Sequence, residues 1–229
     1  MRPEAAWRVV LFDLDGTLID SLADLGQAVN RALAELGHPG HPKEDYRQFI
    51  GEGARQLVAR ALPESVRGDE ALVDRALDLY HKHYHDCWHD QTTVYPGIDA
   101  LLEALHHSGT RLGVISNKPH AFTTLCVEHY FPAAGFDVVF GQREGVARKP
   151  DPAAAIEAAR KFGAEPAQCA YVGDSGVDMA FAKAAGMTAI GVEWGFRDRA
   201  ELLAHGAAHL AADSAARRRL LLGGEPGAG

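Results

Sequence analysis

Short unbroken apolar runs recur along the chain at residues 9–12, 112–115, 138–140, 169–172 and 188–192, with a weaker one at 209–211. They lack the apolar–polar alternation of a half-exposed strand, which predicts strands buried on both faces. Between them, apolar residues recur at helical spacing over residues 98–107, 120–130, 152–162, 177–185 and 197–204. Strand and helix in alternation predict βαβ units and an α/β, Rossmann-like parallel sheet. Residues 19–93 break this rhythm: they hold no strand-like run and read as helices over 22–36, 43–49, 54–62 and 70–88. A helical block of about 70 residues between the first and second strands is long enough to pack as an inserted all-helical domain of its own. The expected organisation is a core from 1–19 and 94–222, an insertion over 20–93 with hinges near Asp20–Ser21 and residues 92–94, and a Gly/Pro/Ala-rich flexible tail over 223–229.

Composition narrows the function. Hydrophobic residues are 47% and charged residues 24% of the 229, which excludes disordered, collagen-like and disulfide-scaffold chains. Lys and Arg number 23 against 31 Asp and Glu, a net charge of -8 that disfavours nucleic acid and anionic membranes as partners. The same charge repels phosphorylated metabolites, so a site for one needs local cations. Cys87, Cys126 and Cys169 show no paired spacing, as suits a reducing compartment. There is no 18-residue apolar run and no signal-peptide pattern at the start, so the expected location is cytoplasmic.

Open α/β sheets bind ligands at the C-terminal ends of their strands, so the residues following each run carry the candidate chemistry. After the first come Asp13, Asp15, Gly16 and Thr17; after the second, Ser116 and Asn117; after the 169–172 run, Gly173, Asp174, Ser175 and Asp178. Lys149 precedes Pro150, which biases its backbone to an extended form. Clustered carboxylates repel one another unless a cation sits among them, and hard oxygen ligands without His or Cys point to Mg²⁺. A divalent ion plus a lysine makes a cationic pocket in an acidic protein, suited to a phosphate.

Asp13-Leu14-Asp15-Gly16-Thr17-Leu18, Ser116, Lys149-Pro150 and Gly173-Asp174-Ser175 with Asp178 resemble, in order, the four motifs of the haloacid dehalogenase superfamily. The helical insertion resembles the C1 cap of its subfamily I. Residues 13–21, 49–54, 94–97, 116–119 and 171–175 are most similar to bacterial phosphoglycolate phosphatases. The resemblance implies Mg²⁺-dependent hydrolysis of 2-phosphoglycolate through an aspartyl-phosphate. Asp13 would be the nucleophile, Asp15 the acid and base, and Lys149 the balancing charge. The metal would be held by Asp13, the Asp15 carbonyl and Asp174, with Asp178 binding a metal water or orienting a neighbour. Thr17, Ser116 and Asn117 fall on the substrate-binding side. In the cap, Gly51 and Gly53 before a helix, with Arg60 and Arg55 nearby, would meet a substrate carboxylate. The implied partner is a small phosphorylated carboxylic acid, and the implied assembly a monomer or weak homodimer. The alternatives are a pyrophosphatase or another small-phosphoester phosphatase of the same subfamily and, from a different class, a non-catalytic interaction module.

Two further features read as structural. His81, His85 and His89 share one helix face beside a Tyr80, Tyr84, Trp88 stripe, so the stripe is expected to be buried and the histidines solvated rather than metal-bound. The Arg217-Arg218-Arg219 run reads as exposed helix charge.

Overall fold

The computed structural model describes residues 7–213, 216 and 220–222. The expected tail over 223–229 and the arginine run at 217–219 lie outside them. In chain order the elements are β1 (Val9–Phe12), β2 (Ile19–Asp20), α1 (Leu22–Glu35), α2 (Tyr46–Phe49), α3 (Ala54–Ala61), α4 (Glu70–Cys87) and β3 (Thr93–Val94). There follow α5 (Ile98–His107), β4 (Arg111–Pro119), α6 (His120–Tyr130), β5 (Val138–Gln142), α7 (Ala153–Phe162) and β6 (Cys169–Gly173). The chain ends its described course with α8 (Gly176–Ala184), β7 (Thr188–Val192), α9 (Arg199–Ala204) and β8 (His209–Ala211).

Packing divides the chain into two compact units, Ile19–Thr93 and the sequence on either side of it. The larger unit is an α/β fold whose sheet runs β5-β4-β1-β6-β7-β8, parallel throughout. Every residue of β1 and β6 is buried, as unbroken apolar runs require in a sheet covered on both faces. β4 outruns its apolar stretch: Ser116, Asn117 and Lys118 stay in strand and are buried, and Pro119 pairs with Gln142 beyond an irregularity after Ile115. Hydrophobic patterning misses such a polar continuation, and it is the part of the strand that enters the site. It also misses β2 and β3, two residues each, which pair with one another at the two ends of the helical stretch. Among the described residues no helix is long and apolar enough to cross a membrane.

The smaller unit packs α1 against α4 and α3 against α4. Tyr80, Tyr84 and Trp88 are buried in it. Its fully buried acid is Asp24, whose carboxylate accepts from Gln91 N at 3.0 Å and from Thr92 N and Oγ1 at 2.8 and 2.7 Å. One side chain in the first turn of α1 thus fixes the chain's exit from the unit. Asp24→Ala removes the acceptor of one buried and one half-buried backbone donor and of the Thr92 hydroxyl, and is expected to lower stability by about 2 kcal/mol, read as a lower urea midpoint with α1 and α4 melting first. An unchanged midpoint would show that water replaces the carboxylate at no cost.

The histidine face is mixed. His85 and His89 are exposed, but His81 is half-buried beside the Tyr80 ring and its Nε2 is shut off from solvent, so burial pulls its pKa down. His83 meets Glu35 of α1 at 2.7 Å. The solvated-face expectation therefore fails at His81, because α4 rotates it towards the tyrosine stripe.

Candidate active site

The register of three adjacent strands assembles the site. Phe12 lies opposite Val114 of β4 and Val172 of β6, so the residues that follow leave the sheet together at one edge. Asp13 N donates to Val172 O at 2.9 Å, which holds the first carboxylate against β6. Gly16 then turns the chain at a φ of 85°, so close to Asp174 that a Cβ would overlap its carboxylate. Asp174 Oδ2 accepts from Phe196 N at 2.7 Å, and Oδ1 from the Thr17 hydroxyl at 3.4 Å. Thr17, expected on the substrate-binding side, is fully buried, and its hydroxyl faces that carboxylate.

Lys149 is the hub. Its backbone is clamped by the Asn117 side chain, which donates to Lys149 O at 3.1 Å and accepts from Lys149 N at 2.9 Å. The Lys149–Pro150 peptide is cis. The ammonium donates to Asp178 Oδ1 at 2.7 Å and to the Tyr171 hydroxyl at 2.8 Å, and lies 2.8 Å from Asp13 Oδ1, a buried oxygen whose geometry leaves it without a hydrogen bond. Tyr171 in turn donates to Ile115 O at 2.6 Å, tying β6 to β4 through the lysine's third partner.

Asp178 has two tasks. Ser175 is the N-cap of α8, and Asp178 completes a capping box by accepting from Ser175 N at 3.1 Å and Oγ at 2.6 Å through Oδ2. Its other oxygen holds Lys149, so it orients a neighbour. The fourth acid, Asp15, points to a different cation: Lys118 Nζ lies 2.9 and 3.1 Å from its two oxygens.

Burial without full compensation shifts these groups. Burial raises the Asp13 carboxyl, Lys149 opposes it, and the net is a rise from 3.8 to about 6. Burial, then repulsion from Asp178 and Asp13, holds Asp174 well above the usual carboxylate range. Burial pulls the Lys149 ammonium down, but Asp13 and Asp178 outweigh it and keep it well above its ordinary value.

Neither Lys118 nor Tyr171 is singled out by strand-end reading. Tyr171 sits inside an apolar run and looks like core. Lys118 could be found by asking which cation balances Asp15, since Lys149 already serves two acids. Gly51, Gly53 and Arg60 are not in the unit that carries the acids. Gly53 is the N-cap of α3 at a φ of 90°. Arg60 pairs with Glu52 and donates to Phe49 O at 3.3 Å, while Arg55 pairs with Glu70 and Asp74. Both guanidiniums, expected as open carboxylate receptors, are engaged by acids of their own unit.

Residues 10–192 match the family profile of the haloacid dehalogenase-like hydrolases. The chain belongs to that family. A phosphoglycolate phosphatase of Pseudomonas putida is 40% identical to this hydrolase over 192 residues, 82% of this chain and 70% of that protein. One of Nitrosospira multiformis is 36% identical, covering 83% of this chain and 85% of its own. A crystal structure from Lactobacillus delbrueckii subsp. bulgaricus superposes with a TM-score of 0.89 at 32% identity, over 95% of this chain and 99% of that one.

The donor set of this haloacid dehalogenase-like hydrolase fits a hard divalent cation. Asp13, Asp174 and Asp178 are all buried, with one oxygen of each within 4.8 Å of the others. They are the group of that kind among the described residues; the histidines of α4 form none. When all four acids are ionised, Asp13, Asp15, Asp174 and Asp178 exceed Lys118 and Lys149 by two negative charges, which one Mg²⁺ would neutralise. A raised carboxyl favours the folded state below its unfolded pKa and loses that advantage as pH rises through its folded pKa. For Asp13 that window runs from about 4 to about 6. Without metal, the Tm is therefore expected to fall over this window, with Asp13 contributing on the order of 3 kcal/mol. Millimolar Mg²⁺ should restore it at pH 7 and do little at pH 4. A Tm at pH 7 that ignores Mg²⁺ would refute cation binding by these acids.

Proposed function

We propose that this chain is a Mg²⁺-dependent phosphatase that hydrolyses 2-phosphoglycolate to glycolate and phosphate, with Asp13 as nucleophile. The observation that carries the reading is the pairing of Asp13 with Lys149 in a buried acid cluster, with a second carboxylate, Asp15, two residues on. The relatives named phosphoglycolate phosphatases support the choice of substrate.

Asp13 and Asp174 would hold the metal, with the Asp15 carbonyl as a further ligand and Asp178 at their edge. When bound, Mg²⁺ supplies charge neutralisation that lets an anionic carboxylate approach an anionic phosphate. Asp13 then forms a bond to phosphorus as the bond to the glycolate oxygen breaks, its electron pair leaving with that oxygen. Asp15 delivers a proton to the departing alkoxide, a poor leaving group without one. In the second half Asp15 takes a proton from water, whose oxygen attacks phosphorus and frees the Asp13 carboxylate. Lys149 offsets charge on Asp13 throughout, held on line by Asp178, Tyr171 and the Asn117 clamp. Ser116 and the Asn117 backbone would bind a phosphoryl oxygen.

In the helical unit, Gly51, Gly53 and Arg60 would contribute to substrate choice, Arg60 by exchanging Glu52 for the substrate carboxylate. The protein is proposed as a cytoplasmic monomer or weak homodimer, and its net charge of -8 supports the expectation that it binds neither nucleic acid nor anionic membranes.

The test is a panel of phosphoglycolate, pyrophosphate, sugar phosphates and ethyl phosphate, each with Mg²⁺ and with excess chelator. The expected result is the highest kcat/KM for phosphoglycolate and loss of activity in chelator. Equal or better turnover of pyrophosphate or a sugar phosphate would move the assignment to that substrate. Activity unaffected by chelator would refute the metal.

A further inference from the structure

Four acids meet at the strand ends, and they do not share one counter-charge. Lys149 serves Asp13 and Asp178, while Asp15 has a lysine of its own. The Lys118 side chain is 2% exposed and its ammonium sits almost evenly between the two Asp15 oxygens. A lysine this buried is costly unless its charge is matched, so the pairing is a constraint on both partners.

The mount beneath Lys118 is rigid. Its N–H donates to Ser116 Oγ at 3.3 Å, and its carbonyl accepts from the Thr123 hydroxyl at 3.1 Å. A Cβ on Gly141 would come within 2.7 Å of that carbonyl, so β5 closes in from the side and leaves the Lys118 backbone no room to shift. Pro119 follows at once and opens α6. The strand therefore delivers a fixed ammonium to the one carboxylate of the cluster that must move protons while the others stay charged.

We infer that Lys118 is the positioning residue for Asp15: it holds that carboxylate on the leaving-group side of the site and apart from the Asp13, Asp174 and Asp178 cluster. This rests on the proposed acid–base role of Asp15. Without the ammonium, the Asp15 carboxylate loses its buried cation beside three acids, and proton delivery to the leaving oxygen becomes less well aimed. Bond breaking at phosphorus itself is left in place.

Leaving-group dependence separates this from a structural role. Lys118→Met is expected to lower first-turnover release of the alcohol, read with enzyme in excess, by about 10- to 100-fold on phosphoglycolate and ethyl phosphate, whose alkoxides need a proton. On p-nitrophenyl phosphate, whose leaving group needs none, the fall in first-turnover release of p-nitrophenol should stay below about threefold, because the base role of Asp15 enters only afterwards, when the aspartyl-phosphate is hydrolysed. KM for phosphoglycolate should hold within about twofold, and Lys118→Arg should recover part of the rate. Asp15→Asn should show the same leaving-group pattern, and adding Lys118→Met to it should cost nothing more. That double variant removes both charges of the pair, so it carries the test even where Lys118→Met alone folds poorly. Equal losses in first-turnover release from alkyl and aryl substrates, or a further loss in the double variant, would overturn the proposal while leaving Asp15 as the acid. A rise in KM confined to phosphoglycolate would overturn it too, since Lys118 would then be meeting the substrate carboxylate. If Asp15→Asn is silent on alkyl phosphates, the acid–base reading of Asp15 falls first and Lys118 with it.

Discussion

Asp13→Asn is expected to cut phosphoglycolate turnover by at least about 10⁴-fold in saturating Mg²⁺. An amide has the shape of the carboxylate but cannot form the bond to phosphorus. The loss should be catalytic rather than structural, because the native carboxylate is a strained group. Its pKa is raised to about 6, with burial the largest cause and repulsion from Asp178 adding to it. Removing that charge leaves Lys149 with Asp178 and Tyr171 as partners. In chelator at pH 7 the variant's Tm should therefore match or exceed the parent's. Phosphate release alongside thermal melts reads both quantities. Residual activity above a few per cent of the parent would mean that Asp13 is not the nucleophile.

Lys149→Met carries the second large effect, and it falls on stability as well as rate. Truncating one member of a buried charge cluster strands the others, at a cost of about 3–5 kcal/mol. Here the stranded groups are Asp13, Asp178 and the Tyr171 hydroxyl, all buried. Turnover should fall about 10²- to 10⁴-fold, since charge compensation at the nucleophile is lost. The double variant Lys149→Met/Asp178→Asn should regain part of the stability, because one of the two stranded anions is gone, and none of the rate. Denaturant midpoints and phosphate release separate the two. If the double variant is no more stable than the single one, Asp178 is held by its capping box alone and the charge argument fails.

The sheet and the four acids were legible because each follows an unbroken apolar run, and runs such as 9–12 and 169–172 survive as β1 and β6 nearly residue for residue. The resemblance to the haloacid dehalogenase superfamily named the same residues independently. What stayed hidden was partnership. Asp24 looks like an ordinary first-turn helix acid, and only the fold brings residues 91 and 92 to it. Tyr171 is indistinguishable from core by pattern. Arg55 and Arg60 look like open cations because their partners, Glu70, Asp74 and Glu52, lie at spacings that no local rule links. Thr17 reads as a polar loop residue until the turn at Gly16 folds it against Asp174. A sequence shows which charges exist, and the fold decides which of them are already matched.

The position of the site in the sheet governs how the protein wears out. β4, β1 and β6 lie side by side, with β5 on one flank and β7 and β8 on the other. Strands in such a place do not fray as edges do, and their backbone bonds open only in the largest unfolding events. Asp13 and Asp174 leave the ends of β1 and β6, and Lys149, on the connection between β5 and α7, is tied to β4 through Asn117. The lifetime of the acid cluster is thus set by the sheet and by the one Asn117 clamp that holds Lys149 to it.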